Sequence, residues 1–583
     1  MLFPSLIQER LAQALLRSGL DIPASFEPSV TAAQDTRFGD YQSNAAMVLA
    51  KQLRCNPRET ASAIASAFEG GDLCDAPEIA GPGFLNFRLR PAAFSAALAA
   101  ILTDSRQGVP QASPRRRIVV DFSAPNVAKP MHVGHIRSTI IGDCLARTAR
   151  FLGHEVTTDN HIGDWGTQFG MILHGWKTLL DAEALEADPV AELLRIYKEI
   201  NTLCKEDETV RDQCRAELVA LQAGDPENLK IWKTCVDLSI AGLGKLYDRL
   251  DVSFDHWLGE SHYNDRLAPL VEDLIARSVA RESEGAICIF FTEHPALAEK
   301  PCLIRKADGG FLYATTDLAT IDFRIEQWQA EEIWYVVGAP QQLHFQQIFE
   351  SVRLAAAAGR GPATPPALRH IAHGSILGAD RKLMKTRSGD NVQLADVLDE
   401  AITRARAVVE EKNPDLPAAE KDEIASIIGI GAVKFAELSQ HRMTDYIFSW
   451  EKMLALQGDT APYLQYSSVR IQSIFRKLEG PAPDWTALDP TSFTFQDESE
   501  TRLLRLLARF AEVVPSVLDD HRPNLLAGYL LELAGAFHAF FAACPVLKAE
   551  VSARTSRLAL CAATNKVLQT GLGLLGIRVP KRM

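Results

Sequence analysis

Several things are missing from this chain, and each absence removes a class of reading. No two of its ten cysteines stand as Cys-x-x-Cys, and their scatter supports neither a disulfide framework nor a structural zinc site. A reducing cytoplasm is the default that follows. No stretch reaches about 18 consecutive apolar residues, so no transmembrane span and no membrane partner are expected. Residues 1–20 carry Glu9, Arg10 and Arg17 among apolar residues and lack the basic start, apolar run and small-residue cleavage site of a secretory signal. Base is in deficit: 61 Lys and Arg face 74 Asp and Glu, a formal net charge of −13. That argues against general coating of DNA or anionic lipid. It leaves open RNA bound through a local basic patch. No internal repeat and no low-complexity tract is found.

What remains is an ordinary globular composition, 47% hydrophobic and 23% charged over 583 residues. At ~150 residues per domain that is three or four domains. Leu2, Leu6, Ile7, Leu11, Ala14 and Leu15 form one stripe of an N-terminal amphipathic helix. Gly81-Pro82-Gly83 reads as a turn and Phe84-Leu85-Asn86-Phe87 as a strand after it. Asp104 to Pro114, with its prolines and polar residues, reads as a linker. Then Arg117-Ile118-Val119-Val120-Asp121-Phe122 predicts a buried strand. A loop with two prolines follows, and Ile136, Ile140, Ile141, Leu145 and Ala149 recur at helical spacing. Strand, loop and helix in that order open a βαβ unit. Apolar runs at Ala286–Phe291, Ile333–Val337 and Ile371–Ile376 are expected to supply further strands. Residues from about 175 to 285 read as a charged helical insertion, and from about 395 onward the pattern is almost purely helical.

The chemistry concentrates in Asn126-Val127-Ala128-Lys129-Pro130-Met131-His132-Val133-Gly134-His135. Two imidazoles three apart share one face at a helix start. That start offers free amide donors and a positive dipole end, which favour phosphate. Gly134 lets a flat base or ribose approach the backbone, and Lys129 adds a cation. These parts suit a nucleoside triphosphate attacked at its α-phosphate, where the protein stabilises developing charge.

Pro130-Met131-His132-Val133-Gly134-His135 resembles the His-Ile-Gly-His signature of class I aminoacyl-tRNA synthetases. The wider run Phe122 to Thr139, and Asn160-His161-Ile162-Gly163-Asp164-Trp165-Gly166-Thr167-Gln168-Phe169-Gly170, resemble the arginyl-tRNA synthetase family in particular. The likeness extends from Phe38-Gly39-Asp40-Tyr41 to Met583. It implies an α/β Rossmann-like catalytic domain with a helical insertion, a small α+β N-terminal domain and an all-α C-terminal anticodon-binding domain. The corresponding boundaries are 1–108 for an N-terminal domain touching the tRNA elbow and 115–390 for the catalytic domain, with its insertion at about 175–285. A helical connecting segment takes 391–455, and the anticodon-binding domain takes 456–583. The implied activity is arginine–tRNA ligation in the cytoplasm, by a monomer, with arginine, ATP and the tRNA for arginine as partners. Mg²⁺ is expected on the phosphates, and no protein metal site or DNA partner is expected.

A guanidinium is a permanent cation with five donors, so its pocket needs carboxylates. The resemblance carries the arginine-binding positions onto Asn126, Glu260, Tyr313, Asp317 and Gln341, with the acids and the tyrosine at the guanidinium end. A site built on buried acids rejects a neutral analogue by ~10⁴-fold, so no editing domain is demanded. The second class I signature, Lys-Met-Ser-Lys-Ser, departs from pattern at Asp380-Arg381-Lys382-Leu383-Met384-Lys385-Thr386-Arg387. Lys129, Lys382 and Lys385 are therefore all candidates to neutralise the triphosphate, with Lys129 and Lys385 favoured. The catalytic set is then Lys129, His132, His135 and Lys385, and the ATP-binding set is His132, Gly134, His135, Lys382 and Lys385.

Tyr463 to Lys477 resembles the family's anticodon-domain helix, with Leu464, Ser467, Ile471, Ile474 and Leu478 toward a core. RNA loops are read by basic side chains and stacking aromatics. The tRNA-binding candidates are Phe84, Asn86, Tyr463, Arg470 and Arg476, with Tyr466 a further stacking candidate. A cysteine-specific synthetase would need a zinc-binding cysteine set beside the histidines, where only Cys144 stands. A small nucleotidyltransferase would leave about 190 C-terminal residues unused. A non-catalytic tRNA-binding homologue is the alternative from a different class.

Overall fold

The computed structural model describes residues 2–33, 35–378, 392–455, 457–481, 483–487 and 489–583, without the side chains of Thr36 and Ser552. They form two compact units. One comprises Met1–Gln111, Tyr466–Ser516 and Gly528–Gly571, the other Ala112–Gln465, Val517–Ala527 and Leu572–Met583.

The N-terminal part of the first unit runs α1 (Phe3–Arg17), β1 (Thr31–Ala32), β2 (Tyr41–Ser43), α2 (Ala45–Leu53), α3 (Pro57–Ala67), β3 (Glu78–Ala80), β4 (Phe84–Phe87) and α4 (Pro91–Thr103). The strands make an antiparallel sheet in the order β1-β2-β4-β3. The α1 stripe is as expected at Ile7, Leu11, Ala14 and Leu15, all buried, and Phe3 joins it. Phe3 meets the rings of Tyr41 and Phe94 edge-on at 6.3 and 6.2 Å.

The second unit is built on β5 (Arg117–Phe122), α5 (Gly134–Phe151) and β6 (Glu155–Asp159). Ile118 to Phe122 are buried, which a strand covered on both faces requires. An ideal Cβ at Gly142 of α5 would lie 2.2 Å from Phe122 Cγ, so only glycine lets the helix rest on this strand. Helices α6 (Gln168–Leu179), α7 (Ala182–Ala187), α8 (Pro189–Glu206), α9 (Glu208–Gln222) and α10 (Pro226–Leu250) make the insertion. Asp181, Asp188, Asp207 and Asp225 cap the last four, each carboxylate accepting a first-turn amide. Val127, Ile162, Phe169, Leu173, Leu193 and Cys235 share one core there.

The chain returns to the sheet edge where His256 bridges Asp159. Then come α11 (Asn264–Ala276), β7 (Ala280–Ser283), β8 (Ala286–Ile289), β9 (Cys302–Arg305), α12 (Tyr313–Trp328), β10 (Glu332–Val336), α13 (Gln342–Ala357), β11 (Ala367–His370) and β12 (Ile376–Leu377). The central sheet is parallel, in the order β11-β10-β5-β6. Of the expected strands, Ala286–Ile289 forms as β8 in an antiparallel β7-β8-β9 sheet, where Glu284 and Gly285 both hold positive φ and close a two-residue hairpin, and Ile371–Ile376 differs. The last strand of the parallel sheet is β11, and Ile376–Leu377 pairs instead with β13. After β12 come α14 (Leu394–Lys412), α15 (Ala418–Leu438), β13 (Tyr446–Ile447) and α16 (Trp450–Met453).

Helices α17 (Ala461–Arg476), α18 (Glu498–Asp519), α19 (Pro523–Ala543) and α20 (Val551–Leu574) follow. By length and composition α19 is apolar enough to cross a membrane. Its Leu530, Leu533, Phe537 and Phe540 are buried within the protein, as in a core helix. In the first unit the Tyr41 hydroxyl donates to Glu512 at 2.5 Å and Arg505 pairs with Asp40 at 2.9 Å.

Candidate active site

The sheet order puts a switch point between β5 and β10, where chain connections run off in opposite directions. Ligands of parallel sheets gather at the carboxyl ends of such strands. The β5–α5 loop sits there. Ser123, Ala124 and Ala128 hold φ of 74°, 45° and 60°, a region side chains seldom enter. Hydrogen bonds hold that backbone in place. The amide of Ser123 donates to Ser138 Oγ (2.8 Å), that of Ala124 to Asn160 Oδ1 (3.1 Å) and that of Ala128 to Ser239 Oγ (3.1 Å).

The loop delivers His132 and His135 to the start of α5, their rings 4.0 Å apart. The His132 amide donates to His135 Nδ1, and the Gly134 amide to His132 Nδ1, both at 3.1 Å. An Nδ1 that accepts is unprotonated, so each neutral ring carries its proton on Nε2 as a donor. Burial lowers the pKa of His132, and burial with the neighbouring His132 pushes His135 down to about 4. The backbone after residue 391 closes against this segment: the Val133 amide donates to Val392 O at 2.8 Å, and the Leu394 amide to Met131 O at 2.9 Å. Lys382 and Lys385 lie outside the described residues.

A cavity of about 200 Å³ opens here, lined by His132, Gly134, Arg137, Gly338, His373 and Ile376. Lys129 is not on it. Its Nζ stands 4.6 Å over the Tyr197 ring and lines a separate cavity of about 610 Å³ with Met131, Lys245 and Gln393.

The carboxylates are brought together by different elements. The Glu260 amide donates to Ile162 O at 3.1 Å, opening a 3₁₀ turn over Glu260–Tyr263. Burial raises the Glu260 carboxyl above its usual range; the His161 charge opposes this, and the charges of Asp164 and Asp317 add to it. Asp164 is buried and accepts from the Ser261 amide (2.8 Å) and Ser261 Oγ (2.6 Å). Asp317, in the second turn of α12, meets His344 Nε2 at 2.5 Å. Tyr313 starts α12, 70% exposed, its ring edge-on to His344 at 6.4 Å. Asn126 is exposed and bridges Gly163, where an added Cβ would lie 2.3 Å from Asn126 Oδ1. Gln341 is exposed at the end of a 3₁₀ turn, Ala339–Gln341, beside the switch point. His161, Asp164 and His344 escaped the sequence reading. The first two stand inside the quoted Asn160–Gly170 run, and His344 follows Gln341 by three residues.

Behind the site, Arg324 of α12 is wholly buried, with Nη2 2.7 Å from both Asp121 Oδ2 and Asp159 Oδ2. It ties the ends of β5 and β6 to the helix that presents Tyr313 and Asp317.

Among the RNA candidates, Asn86 sits on β4 between β2 and β3 and is 5% exposed. Phe84 is half-buried, as is Tyr463, and Arg476 is exposed. Arg470 lies 4.4 Å over the Phe541 ring. Leu464, Ser467, Ile471 and Ile474 are buried, and Tyr466 is 41% exposed.

Three family models match the chain: "tRNA synthetases class I (R), catalytic domain" over 97–450, "DALR anticodon binding domain" over 464–583 and "Arginyl tRNA synthetase N terminal domain" over 5–89. Curated relatives named arginine--tRNA ligase, from Cellvibrio japonicus and Photobacterium profundum, are each 43% identical, over 99% of this chain and 99% of their own. Among solved structures, the arginyl-tRNA synthetase of Plasmodium falciparum is 26% identical with a TM-score of 0.84, covering 100% of this chain and 99% of its own. That of Thermus thermophilus is 27% identical with a TM-score of 0.81, covering 100% of both.

Proposed function

This chain belongs to the class I arginyl-tRNA synthetases, and from that premise we propose how its residues divide the work of arginine–tRNA ligation. The reaction joins arginine to ATP as arginyl-adenylate with release of pyrophosphate, and a terminal ribose hydroxyl of the tRNA then takes the arginyl group. His132 and His135 donate Nε2–H to phosphate oxygens as charge grows on the attacked α-phosphate. Such preorganised donors act most strongly where water is excluded. Gly134 leaves room for the nucleoside. Lys129 and Lys385 neutralise the triphosphate, with Lys382 as the further cation. Glu260 and Asp317 pair with the guanidinium, Tyr313 flanks it, and Asn126 and Gln341 hold the α-amino and carboxylate end. His344 keeps Asp317 in place.

Among the described residues no three His, Cys, Asp or Glu side chains converge as a metal cage. Mg²⁺ arrives on the nucleotide's phosphates, which hold it together with water. On the RNA side Phe84, Asn86, Tyr463, Arg470 and Arg476 are the contacts. The ten free thiols support a reducing compartment, the cytoplasm, and the working form is a monomer.

The observation that carries this reading is that the 3₁₀ turn opening at Glu260 packs against α12, the helix that bears Asp317, so two acids come to one site from different elements. Two half-buried carboxylates brought to one site call for a cation. Glu260→Gln and Asp317→Asn are each expected to raise the KM for arginine about 10- to 100-fold, the scale of one charge-assisted hydrogen bond. The KM for ATP should hold. A KM for arginine within twofold of wild type in both variants would overturn the assignment.

A further inference from the structure

The small cavity beside the two histidines contains a side chain that the mechanism above does not use. His373 follows β11, and its backbone is fastened to the end of β10: it bridges Gly338, and the Ala339 amide donates to His373 O at 3.0 Å. The ring is 7% exposed. Its Nδ1 lies 3.0 Å from Gly374 O. A carbonyl only accepts, so Nδ1 carries the proton and Nε2 is a bare acceptor. That Nε2 is buried and has no hydrogen-bond partner among the described residues. Burial pushes the pKa of His373 down to about 4, so the acceptor stays bare near neutral pH. A buried acceptor left unpaired is costly unless something completes it.

The other walls of the cavity include His132, Gly134, Arg137, Gly338, Ser375 and Ile376. His373 thus lines the same small space as the histidine signature. We propose that His373 Nε2 accepts a hydrogen bond from the 6-amino group of the adenine of ATP and so selects 6-aminopurine over 6-oxopurine nucleotides. An adenine presents a donor at that position and a guanine or hypoxanthine presents an acceptor. Two facing lone pairs repel, so the same nitrogen that welcomes ATP rejects the oxo bases. The proposal rests on the reading that this cavity takes the nucleoside of ATP.

The test is arginine charging by the full-length protein with ATP and with inosine triphosphate, which has a carbonyl in place of the 6-amino group. Wild type is expected to prefer ATP by about 100-fold or more, in the manner of sites that leave a buried polar group unpaired with the wrong substrate. His373→Phe keeps a flat ring without the acceptor. It should raise the KM for ATP roughly tenfold, on the scale of one hydrogen bond, and reduce the ATP preference to within about fivefold. The KM for arginine should not move. His373→Gln, whose amide presents either oxygen or nitrogen, should hold ATP better than His373→Phe and admit inosine triphosphate. Gly134→Ala reports on the cavity itself. If neither Gly134→Ala nor His373→Phe moves the KM for ATP, the nucleoside is not in this cavity and the proposal falls with that reading. If Gly134→Ala raises the KM while His373→Phe keeps the wild-type preference, the cavity reading stands and the proposal is overturned. Where His373→Phe does not fold, His373→Gln and the wild-type ratio decide, and a wild-type ratio near one overturns the proposal.

Discussion

Arg324→Met is the perturbation whose size the structure sets most directly. Methionine is long enough to fill much of the space, so the cost is electrostatic. It strands two carboxylates, Asp121 at 4% and Asp159 at 0% exposure, which share one guanidinium at 2.7 Å each. Removing one partner of a buried ion pair costs about 3–5 kcal/mol, because the charge left behind is uncompensated. The pH dependence has a definite sign. Burial already raises the Asp121 pKa, and the Arg324 charge is the largest force holding it down. Without Arg324 the native state binds protons at pH values where the unfolded chain has released them. Stability of the variant therefore falls as pH rises above the ordinary carboxylate range. The deficit against wild type should be smaller at pH 5 than at pH 8. Denaturant unfolding followed by tryptophan fluorescence measures it, since seven of the eight tryptophans lie within Ala112–Gln465. Adding Asp121→Asn and Asp159→Asn should recover most of the loss. A deficit below about 1 kcal/mol that is equal at both pH values would refute the reasoning.

Three further outcomes are expected. Lys129→Ala should slow adenylate formation by orders of magnitude while the melting temperature barely moves, because its contact with the Tyr197 ring is worth only ~0.5–1 kcal/mol at a partly exposed site; a stable variant with the wild-type rate would remove Lys129 from the mechanism. Gly142→Ala places a methyl 2.2 Å from Phe122 Cγ. It should cost ~1–3 kcal/mol of stability and lower kcat, since α5 carries the histidines; an unchanged melt would show that the helix does not rest on that strand as described. His344→Asn frees the Asp317 carboxylate now held at 2.5 Å. It should raise the KM for arginine several-fold with kcat nearly kept, and an unchanged KM would deny His344 any positioning role.

Local grammar carried part of this fold, and distance in sequence decided where it stopped. The run Arg117–Phe122 and the helical spacing after it announce β5 and α5 because both depend on neighbours in the chain. The run Ala286–Ile289 is legible as a strand, but a short apolar run looks the same in a parallel sheet and in a hairpin, so its sheet is not. The Arg324 cluster was out of reach, since its partners lie 203 and 165 residues away. Glu260, Tyr313, Asp317 and Gln341 came from the family resemblance alone. Nothing in their spacing tells that a 3₁₀ turn after the insertion and the first turns of α12 draw Glu260 and Asp317 together. His344 and His373 were invisible because their meaning lies in what each ring nitrogen meets.

The central claim is that this site couples arginine, and no other amino acid, to tRNA at the expense of ATP. The most direct measurement is charging of total tRNA with labelled arginine beside lysine, glutamine and cysteine, with ATP and Mg²⁺ present or withheld. The account predicts ATP-dependent charging with arginine alone. Charging with one of the other amino acids would contradict the carboxylate pocket built on Glu260 and Asp317, and tRNA binding without any charging would contradict the catalytic roles given to His132 and His135.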